Sequence, residues 1–92
     1  MPREYDNIWD ALEVKPSKSA NMKIRSKLMV EISSFVEDSG LTQSEAAKEL
    51  DTTQPRLNDV LKGRIEKCTV DQLVNMLASV GYKVDLTVSD AT

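Results

Sequence analysis

Several residue types are scarce in this sequence of 92 residues, which has no histidine, one cysteine (Cys68) and three glycines. Without histidine there is no Ser-His-Asp triad, no Cys-His dyad and no His-ligated zinc. A single cysteine excludes an intrachain disulfide and a CxxC redox pair, which favours a reducing interior over export. Catalysis by a pair of Asp or Glu carboxylates is not excluded by these absences, but no acidic pair in the sequence has apolar neighbours that would shift its pKa. We therefore expect no enzyme, no metal site and no cofactor.

Long hydrophobic runs are also missing. No run approaches the ~20 apolar residues that cross a bilayer, and no hydrophobic signal region follows the start at Met1. With 40% hydrophobic and 29% charged residues, the composition is typical of a globular domain. We expect a soluble, cytoplasmic protein with no membrane partner. Its predicted organisation is an N-terminal arm, residues 1–16, followed by one domain, residues 17–92.

The charge is unevenly distributed along the chain. Twelve Lys and Arg stand against fifteen Asp and Glu, for a formal net charge of −3. Residues 54–67 reverse this balance, with Arg56, Lys62, Arg64 and Lys67 against Asp59 and Glu66. An acidic protein with one basic window is a poor general binder of polyanions but can bind them at that window. Charge alone favours the alternative, a solvated surface of mixed charge.

Apolar side chains at three- and four-residue spacing predict four helices, three of which are followed by Gly40, Gly63 and Gly81. The predicted helices run from near Ala20 to Ser39, over 43–50, over 54–62, and from the Thr69 cap to Gly81. Capping boxes mark two of the starts, pairing Thr42 with Glu45 and Thr69 with Gln72. On the long helix, we expect the cations Lys23, Arg25 and Lys27 to form the solvated side, with phosphate contact as the alternative.

The two short helices are joined by a three-residue turn, which is the size and spacing of a helix-turn-helix. Such pairs also occur in helical proteins that never touch DNA, so spacing leaves both interpretations open. The outward face of the second helix favours DNA, because Gln and Arg pair with base edges, and Gln54 and Arg56 lie near its N-terminus. Lys62 is predicted to reach a phosphate, and the free amides beside Gln43 to hold another. Asp59 would repel phosphates, unless it accepts from a cytosine amine or pairs with Arg56.

Residues 41–50, 53–57, 61–63 and 73–81 together resemble the Xre/Cro-type (lambda-repressor-like) helix-turn-helix family. Residues 7–12 and 81–86 extend the resemblance to the subgroup of small HigA-like antitoxins of toxin–antitoxin modules. The resemblance implies a transcriptional regulator of double-stranded DNA. The matched positions, implied to contact DNA, are Gln43, Thr53, Gln54, Arg56, Asn58 and Lys62. The sequence departs from the family at Asp51, a turn position that usually holds glycine.

The C-terminal segment changes period, because apolar and polar residues alternate from position 82 to 89. The pattern predicts a short strand with one apolar face. The apolar residues, predicted to mediate dimerisation, are Tyr82, Val84, Leu86 and Val88. A lone strand must pair, and pairing with a second copy would make a homodimer with two recognition helices on a palindromic operator. The competing interpretation pairs it with the arm of its own chain.

The predicted fold class is therefore all-α, a five-helix lambda-repressor-like helix-turn-helix domain with one short C-terminal β-strand. The predicted function is an autorepressing antitoxin with a toxin as protein partner. The alternatives are a stand-alone phage-type or Xre-type repressor, and a protein-interaction module that does not bind DNA. For the arm, Tyr5 and Trp9 suit a toxin-binding segment, whereas folding back of the arm on the long helix is the alternative.

Overall fold

The computed structural model describes residues 16–90. Its helices are α1 (Pro16–Ser39), α2 (Gln43–Glu49), α3 (Gln54–Leu61) and α4 (Val70–Ser79), with a 3-10 helix at Ile65–Lys67 between α3 and α4. α1 begins before the predicted start near Ala20, because a proline is well accommodated in the first turn of a helix. Of the predicted arm, residues 1–15 lie outside the described residues.

The prediction of five helices and a C-terminal strand is wrong. Residues 16–90 contain four α-helices and no strand, and the chain from Tyr82 to Asp90, where the strand was predicted, is exposed and has no regular secondary structure. An alternating pattern determines which side chains share a face, but a strand forms only when a neighbour completes its backbone hydrogen bonds. The described segments that pack around this part of the chain are helices, whose backbone groups are already bonded internally.

The core lies where α1 crosses α3 and α4, and α1 packs most extensively along α4. Each helix contributes a fully buried side chain to it, namely Ile32, Leu50 at the end of α2, Leu57 and Leu73. The predicted apolar stripe of α1 is only partly buried, since Ile24 remains 41% exposed. Within the described residues, no helix combines the length and the apolar character needed to cross a membrane.

Both predicted capping boxes are confirmed. The backbone N–H of Glu45 donates to Thr42 Oγ1 at 3.1 Å, and the N–H of Thr42 donates to Glu45 Oε1 at 2.9 Å. Thr69 and Gln72 repeat the arrangement at the start of α4, with distances of 3.2 and 3.1 Å. The backbone and then the side chain of Thr42 hold the pKa of Glu45 below its usual range. These bonds set where α2 and α4 begin, and so orient the elements on either side of α3.

Candidate nucleic-acid interface

α2 and α3 form a tight pair around a turn at Asp51. The N–H of Asp51 donates to the carbonyl of Lys48 at 3.1 Å, and the N–H of Thr52 donates to the carbonyl of Ala47 at 2.9 Å. This pair of bonds is a Schellman motif, which needs a left-handed residue at its centre. Asp51 supplies it with a φ of 54°, and it is the sole non-glycine residue with positive φ in the part of the chain described. Aspartate tolerates this region better than most residues, so the turn forms without the usual glycine.

Small side chains let the two helices approach closely. Ala46 and Ala47 are buried on α2, and Leu57 fills the angle from α3 with no exposed surface. Thr53 caps α3, accepting the N–H of Arg56 on its Oγ1 at 3.2 Å. Since a hydroxyl both accepts and donates, the Thr53 proton remains available to an outside acceptor.

A polar row runs along the outward side of α3 and is formed by Gln54, Asn58 and Lys62. These residues are four apart, so each lies about one turn beyond the last, on one side of the helix. Gln54 and Lys62 are exposed and Asn58 is partly buried. The structure therefore brings three of the six predicted DNA contacts into one line, with the amides towards the N-terminus and the amine at the C-terminal end.

Arg56 lies on the opposite flank of α3 from Asn58, because two residues turn a helix by about 200°. Its partly buried side chain borders a cleft of about 330 Å³ that is also lined by Thr52, Gln72 and Asn75. Gln43 is the first residue of α2 and is partly buried. The predicted contacts are thus divided among the polar row, the α4 side of α3, and the start of α2.

The acidic residue on the outward face of α3 has its own partner. Asp59 Oδ1 lies 3.1 Å from Arg64 Nη1, beyond the end of the helix. The predicted alternative of pairing with Arg56 is therefore wrong. The backbone explains the choice, since Gly63 at φ 72° turns the chain and the N–H of Arg64 donates to the Asp59 carbonyl at 2.9 Å. This second Schellman motif brings Arg64 back beside the carboxylate.

The sequence matches the family model of a helix-turn-helix domain over residues 12–89, which is most of the chain. The chain belongs to the helix-turn-helix domain family. Family membership indicates a DNA-binding regulator, from a family that is typically not enzymatic. No curated protein matches the sequence significantly. In this helix-turn-helix domain α2 and α3 are the paired helices, and α3 carries the polar row.

One residue of the helix-turn-helix domain that sequence reasoning placed wrongly is Arg25. It was predicted on the solvated side of the long helix, but its Nη1 donates to the carbonyls of Ile65 at 2.8 Å and Cys68 at 3.1 Å. The bonds join α1 to the segment that follows α3. No local pattern could reveal them, because the partners lie 40 and 43 residues away in sequence.

Cys68 lies beneath the same segment. It is 1% exposed, and its Sγ is 3.8 Å from the carbonyl oxygen of Arg64. Burial, reinforced by the negative charge of Asp59, raises the pKa of the Cys68 thiol, so the reactive thiolate is disfavoured. The thiol of the helix-turn-helix domain is therefore an unreactive part of the core.

The four residues predicted for dimerisation lie in the exposed segment after α4. Tyr82 packs edge-on against Phe35 of α1, with ring centroids 6.2 Å apart and an interplanar angle of 87°. Exposure increases along the segment, from 42% at Tyr82 and 39% at Val84 to 76% at Leu86 and 85% at Val88. The segment is thus partly covered at its beginning, where Tyr82 contacts α1, and its last two large apolar side chains lie in solvent.

Proposed function

We propose that this protein is a transcriptional repressor that binds double-stranded DNA sequence-specifically through α3. The observation that supports this best is the polar row Gln54–Asn58–Lys62 on the outward side of that helix. Side-chain amides make paired hydrogen bonds with the adenine edge in the major groove. A lysine at the far end of the same row suits a phosphate. The amides and the amine of the row are therefore placed to contact bases and a phosphate when α3 lies in the major groove.

The remaining predicted contacts have separate roles in the proposal. Arg56 lies on the α4 flank of α3, away from the polar row, and contacts a phosphate at the edge of the groove. Thr53 donates its hydroxyl proton to a phosphate while its oxygen keeps the cap on Arg56 N. Gln43, at the start of α2, contacts the DNA backbone. The ion pair with Arg64 offsets the repulsion between Asp59 and phosphates.

The functional form is proposed to be a homodimer on a palindromic operator. Leu86 and Val88 are largely exposed, and burying them against a second copy would remove apolar surface from water. A twofold dimer presents two copies of α3 to successive half-sites, which requires them to be about one helical turn of DNA apart. The repressor role follows from occupation of such a site.

The antitoxin role rests on the resemblance of residues 7–12 and 81–86 to small HigA-like antitoxins. It implies a toxin encoded beside this gene and a complex between the two proteins. Co-expression with the product of the neighbouring reading frame, followed by size-exclusion chromatography, tests this role. Elution of the two as one complex would support it, and separate elution would leave a stand-alone repressor.

The experiment that tests DNA binding is fluorescence anisotropy on the duplex upstream of the gene, with a scrambled duplex of equal composition beside it. We expect Asn58→Ala to weaken binding to the upstream duplex by about 1–3 kcal/mol. The matched control is Asn21→Ala, which removes an exposed amide from α1 instead. Equal affinity for both duplexes would overturn sequence-specific binding. Lack of binding to either at low salt would favour a protein-interaction module.

A further inference from the structure

The segment between α3 and α4 is attached to α1 through a single guanidinium. Arg25 Nη1 donates to the carbonyl of Ile65, the first residue of the 3-10 helix, and to that of Cys68, just after its end. Hydrogen bonds from a charged donor are stronger than neutral ones. One side chain thus holds both ends of this short helix against α1.

The Arg25 side chain is poorly suited to stability alone. Its Nε is buried and has no hydrogen-bond partner. A buried donor without an acceptor destabilises the folded state, and local departures of this kind occur mainly where function requires them. The arginine therefore calls for an explanation beyond packing.

The segment that Arg25 bonds, residues 64–68, has buried residues on one side and exposed cations on the other. Ile65 and Cys68 are buried, at 9% and 1% exposure, and face the core. Arg64 and Lys67 are exposed. Arg64 follows directly on the Schellman turn of α3, and the N–H of Lys67 donates to the Arg64 carbonyl at 2.9 Å, so the backbones of both cations lie near the end of the helix that carries the polar row. Their placement depends on the conformation of the segment that Arg25 bonds.

We propose that Arg25 is a positioning residue for DNA binding, which holds residues 64–68 against α1 so that Arg64 and Lys67 contact phosphates beside the groove occupied by α3. This inference rests on the proposed function. Arg25 itself does not touch the DNA. It acts by reducing the conformational freedom that the two cations would otherwise lose on binding.

The test is a double-mutant cycle of Arg25→Met and Lys67→Ala, read by anisotropy on a mixed-sequence duplex over a range of salt concentrations. Lys67→Ala is expected to weaken binding and to reduce the slope of log K against log salt by about 0.9, the value for one phosphate contact. In the Arg25→Met background the same substitution is expected to change neither quantity. Lys27→Met is the matched control, because it removes one exposed charge from α1 two residues away.

The Cys68 thiol reports on the segment independently of DNA affinity. It is the one cysteine of the chain and lies beneath residues 64–67, so reaction with an aromatic disulfide reagent requires the segment to open. We expect Arg25→Met to speed the reaction several-fold and Lys27→Met to leave it unchanged. Bound duplex should slow it in the wild type. If Arg25→Met does not fold, Arg25→Lys takes its place, because lysine retains a charged donor. The Cys68 thiol of Arg25→Lys should then react faster than that of the wild type but more slowly than the thiol of the unfolded protein.

The outcomes separate this inference from the proposed function. If the wild type binds duplex but Lys67→Ala has the same effect in both backgrounds, or no effect in either, the positioning role of Arg25 is overturned while DNA binding stands. Unchanged thiol reactivity in Arg25→Met would overturn it as well. If the wild type binds no duplex at low salt, the proposed function fails and the inference fails with it.

Discussion

Arg64 is bonded twice to Asp59, through its guanidinium at 3.1 Å and through its backbone N–H at 2.9 Å. The carboxylate lies on the outward face of α3, where an unpaired negative charge would oppose phosphates. Its side chain is 25% exposed and that of Arg64 is 48% exposed, so solvent weakens the ion pair. The pair therefore matters more for the field near α3 than for the stability of the fold.

Replacement of Asp59 by asparagine should increase affinity for DNA. Asp59→Asn keeps the shape of the side chain, removes one negative charge that repels phosphates and leaves the positive charge of Arg64 uncompensated. We expect tighter binding to duplexes of any sequence and a salt slope steeper by about 0.9. The free energy of unfolding should change by less than about 1 kcal/mol, as for other exposed pairs. Anisotropy titrations and urea unfolding measure the two effects, and weaker binding would contradict the prediction.

Replacement of Asp51 by glycine should stabilise the protein. The residue has a φ of 54°, which glycine adopts without the steric cost of a Cβ. We expect Asp51→Gly to raise the free energy of unfolding by about 0.5–1 kcal/mol. The control is Glu49→Gly at the last residue of α2, which should lower it by a similar amount because glycine disfavours helix. Urea unfolding measures both changes. A lower free energy of unfolding for Asp51→Gly, as for Glu49→Gly, would refute the strain at Asp51.

The capping box of α2 should make stability depend on pH. The hydrogen bonds from Thr42 hold the pKa of Glu45 below that of the unfolded chain, so the folded state favours the ionised carboxylate. The resulting stabilisation is present above the unfolded pKa of about 4.3 and is lost as the pH falls through the lower folded value.

Glu45→Gln should remove this pH dependence. Urea midpoints of wild type and variant, measured from neutral to acidic pH, should differ at neutral pH and converge in acid. Glu49→Gln, which changes an exposed glutamate of α2 outside the capping box, is the control. A constant difference between Glu45→Gln and wild type across the range would exclude the carboxylate as the source.

The exposed end of the C-terminal segment should determine the oligomeric state. Leu86→Ser with Val88→Ser is expected to convert the proposed dimer to monomers without lowering the thermal midpoint of the monomer, because both side chains are largely in solvent. Analytical ultracentrifugation measures the change. Val30→Ser alters another exposed apolar residue, 63% exposed on α1, and should leave the dimer intact. A monomeric wild type would refute the proposed homodimer.

The elements that sequence predicted well depend on neighbours along the chain. The bonds of the Thr42–Glu45 and Thr69–Gln72 boxes join residues three apart, and Gly63 closes a turn within five residues. Local interactions of this range are encoded in spacing and residue type, so the positions of α2, α3 and α4 could be derived from them. The six positions predicted to contact DNA remain predictions, since their roles depend on a partner.

The errors concern interactions between distant parts of the chain. Alternation from Tyr82 to Val88 identified an apolar face, but the strand was wrong because its existence depends on a neighbour. Arg25 was assigned to solvent because the helical pattern shows only that it is charged. Its partners, Ile65 and Cys68, come within hydrogen-bond distance only after α1, α3 and α4 have packed.

The sequence by itself determined the positions of α2, α3 and α4 and the capping boxes of α2 and α4, because these follow from contacts within one or two turns. Membership of the helix-turn-helix family follows from the sequence match over residues 12–89. Only the tertiary structure decided that Arg25 bonds the segment after α3 and that the C-terminal segment forms no strand within the described residues. Each of these depends on which partner is closest once the backbone has turned. That geometry is a property of the packed chain rather than of residue spacing.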